Sequence, residues 1–397
     1  MSKRLLQIDS CLVTGSTGRI TESVARLAQE RGWECYIVHG GRYVKRPSCM
    51  TDIQSVSPMG EYLHYAESLL FDNHGLASRR ATKRVVEQIK QIKPDVVQLH
   101  CVHGYYLNYR ILFEYLNSTN IPVVWTFHDC WAFTGHCAHF VTLGCEKWKI
   151  GCHDCPLKGD YPKSFVDCSK RNYALKKKLF TANKNLHIVP VSDWLSRITE
   201  QSFFKNNAIN VIKNGVDIDA FRPIKALPNN RFTIIAVSSV WNENKGLYDY
   251  VNLAGMLNDD EELVLVGIPE QLKEQLPPSI RCVSKTESVE ELMRMYNQSD
   301  VVLSLSKAET FGLTVVEAMA CGVPAVVYDN TALPELITKE VGFVVPNGDV
   351  RAVYEKICKI KEMGKTYFSK ACRERAEEEY DKNRCYEKYI SLCESLL

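Results

Sequence analysis

Short runs of β-branched and aliphatic residues alternate along the chain with stretches whose apolar positions recur at helical spacing. In the first half the runs are LLQID (5–9), ECYIVHG (34–40), DVVQLH (95–100), PVVWTFH (122–128) and HIVPV (187–191). Helical patterns such as 19–31, 76–92 and 106–117 lie between them. FTIIAVS (232–238), ELVLVG (262–267), DVVLSL (300–305), PAVVY (324–328) and GFVV (342–345) repeat the rhythm in the second half. Strands apolar throughout and separated by helices predict parallel sheets covered on both faces. Two such series predict two doubly wound α/β domains, with ligand expected at the carboxyl ends of the strands. FRPIKALPNNR (221–231) interrupts both patterns with two prolines and two asparagines, so the domains are expected over 1–222 and 223–375. Residues 367–397 read as heavily charged helix with no following strand.

One apolar segment carries two carboxylates. In SKAETFGLTVVEAMACGVPAVVYDN (306–330), Ser306–Phe311 is the loop leaving a buried strand, and Gly312 opens a helix ended by Gly322 and Pro324. The free N–H groups around Phe311, Gly312, Leu313 and Thr314 point out of that helix with the positive end of its dipole behind them, a site suited to a diphosphate. Glu309 sits in the preceding loop, where it can meet whatever hangs from the phosphate. Glu317 lies just over a turn into the helix, placed to accept two hydroxyl hydrogen bonds, as from a ribose. Capping and the helix dipole would account for one of these acids but not for both.

The spacing E-x7-E followed by A-M-A-C-G-x-P resembles the retaining glycosyltransferases of family 4, over essentially the whole chain. HDCWAFTGHCAHF…GCEKWKIGCHDCP (128–156) is similar, more narrowly, to bacterial capsule and colanic-acid-type exopolysaccharide glycosyltransferases. The resemblance implies a GT-B fold, two Rossmann-like domains facing a cleft, with the chain's last helix (376–397) crossing back to the first. It implies that Glu309 contacts hydroxyls of the donor sugar, that Glu317 holds the ribose, and that Lys245 neutralises the diphosphate leaving group without a catalytic metal. His128, at the end of PVVWTFH, takes the position of a histidine that contacts the donor sugar. One departure stands out: the arginine usual five residues before the lysine is replaced by Val240.

Gly15, in TGSTGR (14–19) after the first strand, lets backbone approach phosphates or sugar, although such a loop alone is a weak signal. His100 and His103 fall beside a neighbouring strand end and are candidates for the acceptor side. Asp217-x-Asp219, in NGVDID, reads as a turn rather than a metal-binding pair.

Five cysteines crowd residues 128–160, an expected cysteine-rich insertion in the first domain. Cys152-x-x-Cys155 has the spacing of a thiolate knuckle, and Cys137 and Cys145 complete a candidate structural zinc site, with His136, His139 and His153 as substitutes. Unligated thiols or a redox C-x-x-C are the other readings. The stretch 169–185 interleaves lysines with Tyr173, Leu175, Leu179 and Phe180, as a core-facing surface helix or an interfacial one would.

Net charge is only +2 but uneven: residues 1–220 carry 28 Lys+Arg against 20 Asp+Glu, and the remainder 21 against 27. A basic first half suits an anionic partner, while the acidic second half and the lack of aromatic–basic repeats argue against nucleic acid. The start, MSKRLLQIDSC, is no secretory signal, and no stretch approaches the ~20 apolar residues of a membrane span. Sixteen cysteines without such a signal point to a reducing, cytoplasmic setting, with peripheral contact at the inner face of the cell membrane. The reading is a glycosyltransferase that moves sugar from a nucleotide-diphosphate donor (UDP by default, GDP as the alternative) to a saccharide acceptor, expected to be lipid-linked. A nucleotide-sugar epimerase of the same architecture and a zinc-stabilised saccharide-binding protein are the rivals.

Overall fold

The computed structural model describes residues 2–41, 47–225 and 230–397, so part of the expected linker, 226–229, lies outside the described residues. The chain divides into two compact units. One runs to Lys213 and takes in Tyr386–Leu397; the other is Asn214–Cys385. The division therefore falls earlier than 222, and for a local reason. Val216 bridges to Asp381, and Gly215 lies against Lys382 so closely that a Cβ there would stand 2.3 Å from the lysine Cα.

The first unit is built on seven strands: β1 (Arg4–Ile8), β2 (Glu34–His39), β3 (Thr51–Gln54), β4 (Val96–Leu99), β5 (Val123–Phe127), β6 (Leu186–Pro190) and β7 (Ala208–Ile209). All pairs are parallel, in the order β3-β2-β1-β4-β5-β6-β7. The central strands β4 and β5 are buried at every position, as their unbroken apolar sequences require. Helices cover the faces. In Arg79–Ile92, Ala81, Val85, Val86 and Ile89 turn inward while Arg79, Arg80, Lys83 and Arg84 stay exposed. The helix Ser169–Phe180 does the same with Tyr173, Leu179 and Phe180, which closes that stripe to any lipid surface.

The second unit has six strands: β8 (Phe232–Val237), β9 (Glu261–Val266), β10 (Ile280–Val283), β11 (Val301–Ser304), β12 (Ala325–Tyr328) and β13 (Gly342–Val345). They too are all parallel, in the order β10-β9-β8-β11-β12-β13. Each unit is thus a doubly wound sheet, reversing direction between β1 and β4 in one and between β8 and β11 in the other. Ligands of such sheets bind beyond the carboxyl ends at that reversal. Among the described residues no helix is long and apolar enough to cross a membrane.

Candidate active site

At the reversal of the second sheet, the loops leaving β8 and β11 are laced together. Lys307 N–H donates to Asn244 O at 2.8 Å, and Gly246 packs so tightly that a Cβ on it would meet Leu305 O at 2.2 Å. Gly246 has φ +74°, a left-handed conformation that glycine adopts without strain. Asn242 caps the short turn by accepting from Lys245 N–H. These contacts bring Lys245 Nζ to 2.5 Å from Glu309 Oε2, with the two side chains 29% and 22% exposed. Glu309 is held from the other flank as well: its N–H donates to Thr331 Oγ1 at 2.8 Å, and its carbonyl accepts from Ala332 N–H.

Three residues on, Gly312 serves as N-cap of the helix Leu313–Ala320, and no side chain caps it. Its φ of +103° and the 3.0 Å approach of the Leu333 and Leu336 methyls to any added Cβ both call for glycine. The first amides, at Leu313 and Thr314, come too early in the helix to find an acceptor inside it, and both residues are half-buried rather than covered. Phe311 turns its ring inward against Tyr380, leaving its backbone to border the site. Glu317 is buried one turn further in, where Tyr296 OH donates to its Oε2 at 3.2 Å. Val240 is 57% exposed and supplies no cation. A lysine does stand in the adjoining loop, however: Lys307, whose Nζ lies 3.6 Å from Glu243.

The first sheet has its own cluster at the carboxyl edge. Gly15 begins the helix Gly15–Glu30 with φ +69°, and a Cβ built there would meet open space. Asp9, the residue that follows β1, is fully buried. Burial pushes its carboxyl up to about 6, against the lowering pull of hydrogen bonds from Thr17 and Ser10. A hydrogen-bond chain runs from Gln7, whose amide donates to Thr21 O, through His100 to His128. Gln7 Oε1 must therefore accept from His100 Nε2–H, which leaves His100 Nδ1 to accept from His128 Nε2–H at 3.1 Å. Burial lowers both imidazoles, His128 to about 4, so the pair is neutral near pH 7. Beside them Asp129 accepts from His103 at 2.9 Å, and His103 meets Tyr161 OH at 3.1 Å. Burial alone would raise the Asp129 carboxyl, but His103 and the Trp131 amide outweigh it and hold it low.

Elsewhere in the first unit, Cys137, Cys145, Cys152 and Cys155 line a single small cavity with His136, Phe140 and Trp148. His153 borders it too; His139 does not. In the second unit, Asp217 holds a turn, accepting from the amides of Asp219 and Ala220 and pairing with Lys382 at 2.5 Å. Several contributors carried no motif in the sequence: Thr331, Tyr296, Lys307, Gln7 and Asp9. Only Asp9, a lone carboxylate closing an apolar strand, left a visible signal.

Two doubly wound domains, one with a lysine–glutamate pair and an uncapped helix at its sheet reversal, define a two-domain parallel α/β class of protein. The particular family follows from sequence. Residues 17–220 match Glycosyltransferase Family 4 and residues 231–362 match Glycosyl transferases group 1; the chain belongs to glycosyltransferase family 4. It is 26% identical over 270 residues to the putative colanic acid biosynthesis glycosyl transferase WcaC of Escherichia coli K12. That match covers 65% of this chain and 65% of WcaC, just under two thirds of the relative's own length. The amylovoran biosynthesis glycosyltransferase AmsK of Erwinia amylovora is 26% identical over 209 residues, 47% of this chain and 51% of that protein. Among solved structures, a glycosyltransferase from Rickettsia africae superposes with TM-score 0.69 at 18% identity, covering 100% of this chain and 98% of the other. Anabaena Alr3699/HepE in complex with UDP-glucose gives 0.66 at 16% identity, covering 99% of each. Likeness at these identities shows the fold, which is GT-B.

Proposed function

We propose that this chain moves a sugar, with retention of anomeric configuration, from a nucleotide-diphosphate donor to a saccharide acceptor in surface polysaccharide synthesis. The observation that carries the reading is the Lys245–Glu309 pair at the reversal of the second sheet, beside a helix whose first amides lack internal acceptors. In this reading the diphosphate lies against the backbone of Phe311, Gly312, Leu313 and Thr314. Glu317 takes the ribose hydroxyls, Glu309 takes hydroxyls of the sugar, and Lys245 turns to the phosphates as the leaving charge develops. Lys307 supplies a second positive charge in place of the arginine that Val240 replaces. Gly15 gives backbone approach at the edge of the first sheet, and His128, held by its Nε2 contact to His100, stands there to meet the donor sugar. No metal is assigned to the chemistry.

The transfer is a same-face displacement: the bond from the anomeric carbon to the diphosphate breaks, the acceptor oxygen bonds to that carbon, and its proton passes to the departing phosphate. UDP is the favoured nucleotide, a choice supported by the UDP-glucose bound to HepE, with GDP as the alternative. The names of WcaC and AmsK support a polysaccharide acceptor. A lipid-linked acceptor, and a place at the inner face of the membrane, draw support from exposed Met59, Tyr62, Leu63 and Phe71 on the helix Pro58–Phe71. The test is incubation with UDP- and GDP-sugars plus lipid-linked saccharide, reading the new linkage by NMR. An axial donor bond should yield an axial product bond. Inversion would remove the retaining mechanism, and an isomerised donor formed without acceptor would mark an epimerase instead.

A further inference from the structure

Residues 128–168 hold only three short 3₁₀ turns, with neither strand nor α-helix among them, a long irregular stretch for a compact domain. Cys137 and Cys145 lie between those turns and Cys152 and Cys155 after the last of them, yet all four border one cavity of about 20 Å³. That is room for roughly one water-sized body. Phe140 and Trp148 stack at 4.9 Å and form its apolar wall. The backbone is shaped to present the thiols. Gly144 before Cys145 and Asp154 before Cys155 both have positive φ, Gly135 N–H donates to Cys152 Sγ at 3.2 Å, and Cys155 N–H is anchored on Asp167 at 2.8 Å.

A second observation is independent of the cysteines. His136 also borders the cavity, with a fully buried side chain. Buried Asp72 holds its Nδ1 at 2.6 Å, while its Nε2 is buried without a hydrogen-bond partner among the described residues. An imidazole oriented by a carboxylate, with its other nitrogen unsatisfied beside a thiol cluster, is an arrangement that metal sites use.

We propose that this cavity holds one structural zinc ion on the thiolates of Cys137, Cys145, Cys152 and Cys155, with the buried His136 ring, its Nδ1–H donating to Asp72, packed beside them. Four soft donors around space for a single body select mononuclear zinc, and a complete donor set leaves no open position for catalysis. Among the described residues no three such donors already stand at metal-ligand spacing. The ion must therefore draw the thiols inward, to Zn–S distances of about 2.3 Å. Its role is to staple the irregular segment that follows His128.

The experiment uses the full chain, purified under reducing conditions, with zinc counted by plasma mass spectrometry. About one zinc per chain is expected, falling at least fivefold in Cys145→Ser and Cys152→Ser, while His136→Gln keeps its zinc but loses it at least tenfold faster to a chelator. Should the serine variants fail to fold, titration of the unaltered chain with an organomercurial to completion should release about one zinc per chain, since thiolate ligands give up the metal as they react. Cobalt(II) exchanged into the site should give the absorption of four thiolates. A zinc-free chain that takes up none on refolding, full zinc in Cys145→Ser, a cobalt spectrum of three sulfurs and one nitrogen, or a Cys137–Cys155 disulfide in place of metal would each overturn the proposal. None of these readouts depends on nucleotide-sugar transfer.

Discussion

Lys245 Nζ lies 2.5 Å from Glu309 Oε2, joining the loop after β8 to the loop after β11. Both side chains are partly exposed, so the pair contributes at most about 1 kcal/mol to stability. Lys245→Met and Glu309→Gln should accordingly leave the melting temperature within about 2 °C of the unaltered chain. If the lysine meets a developing phosphate charge, kcat should fall by about 10²–10³ in Lys245→Met. Melting curves and initial rates on the same preparations check this; a large loss of stability with unchanged kcat would reduce the pair to a structural contact.

Glu317 should act on binding rather than turnover. It is buried, and its Oε2 accepts from Tyr296. Losing one or two hydrogen bonds to a charged acceptor should weaken nucleoside diphosphate affinity by about 10–100-fold in Glu317→Gln, with kcat at saturating donor within about threefold. Calorimetric titration with UDP and GDP measures the first quantity, and steady-state kinetics the second.

Two glycines should respond unequally to alanine. At Gly246 the added Cβ would strike Leu305 O at 2.2 Å in a left-handed backbone, which should cost about 2–4 kcal/mol and displace Lys245. At Gly15 the Cβ meets nothing within 4 Å, so only the backbone term of about 1–2 kcal/mol remains. Denaturant unfolding separates the two. A further loss of activity in Gly15→Ala, beyond its stability cost, would show ligand approaching that backbone.

Asp9 gives a pH signature. Burial raises its carboxyl from 3.8 to about 6, so between those values the folded chain holds a proton that the unfolded chain has released. Stability from this group is present below about pH 4 and is lost as pH rises to about 6, a change of about 3 kcal/mol. Relative to Asp9→Asn, the unaltered chain should therefore weaken across that window and show a constant difference above pH 7. Urea unfolding of both from pH 4 to 8 measures the difference; parallel curves would mean that Asp9 is already ionised at pH 4.

The alternation of apolar runs and helical patterns was enough to read both sheets, because central parallel strands such as Val123–Phe127 must be apolar on both faces. Three edge strands escaped. Thr51–Gln54 has one apolar residue in four and no buried position, Ala208–Ile209 is two residues long, and Ile280–Val283 buries only Ile280. The helix Pro58–Phe71 was missed as well, since its apolar residues Met59, Leu63 and Phe71 face outward and give no inward stripe. Glu309, Gly312 and Glu317 were legible because they lie close together in one segment. The partners that fix them are remote in sequence: Lys245 is 64 residues from Glu309, and Tyr296 lies 21 before Glu317. Pairings of that kind are set by sheet order, which periodicity does not encode. The same holds for His136 and Asp72, 64 residues apart.

The most direct test of the account is calorimetric binding of UDP and GDP to the unaltered chain, to Lys245→Met and to Glu317→Gln. One nucleotide should bind the unaltered chain at a single site, with affinity reduced at least tenfold in each variant. Absence of binding by either nucleotide, or equal affinity in all three proteins, would contradict a diphosphate site at the start of the helix Leu313–Ala320.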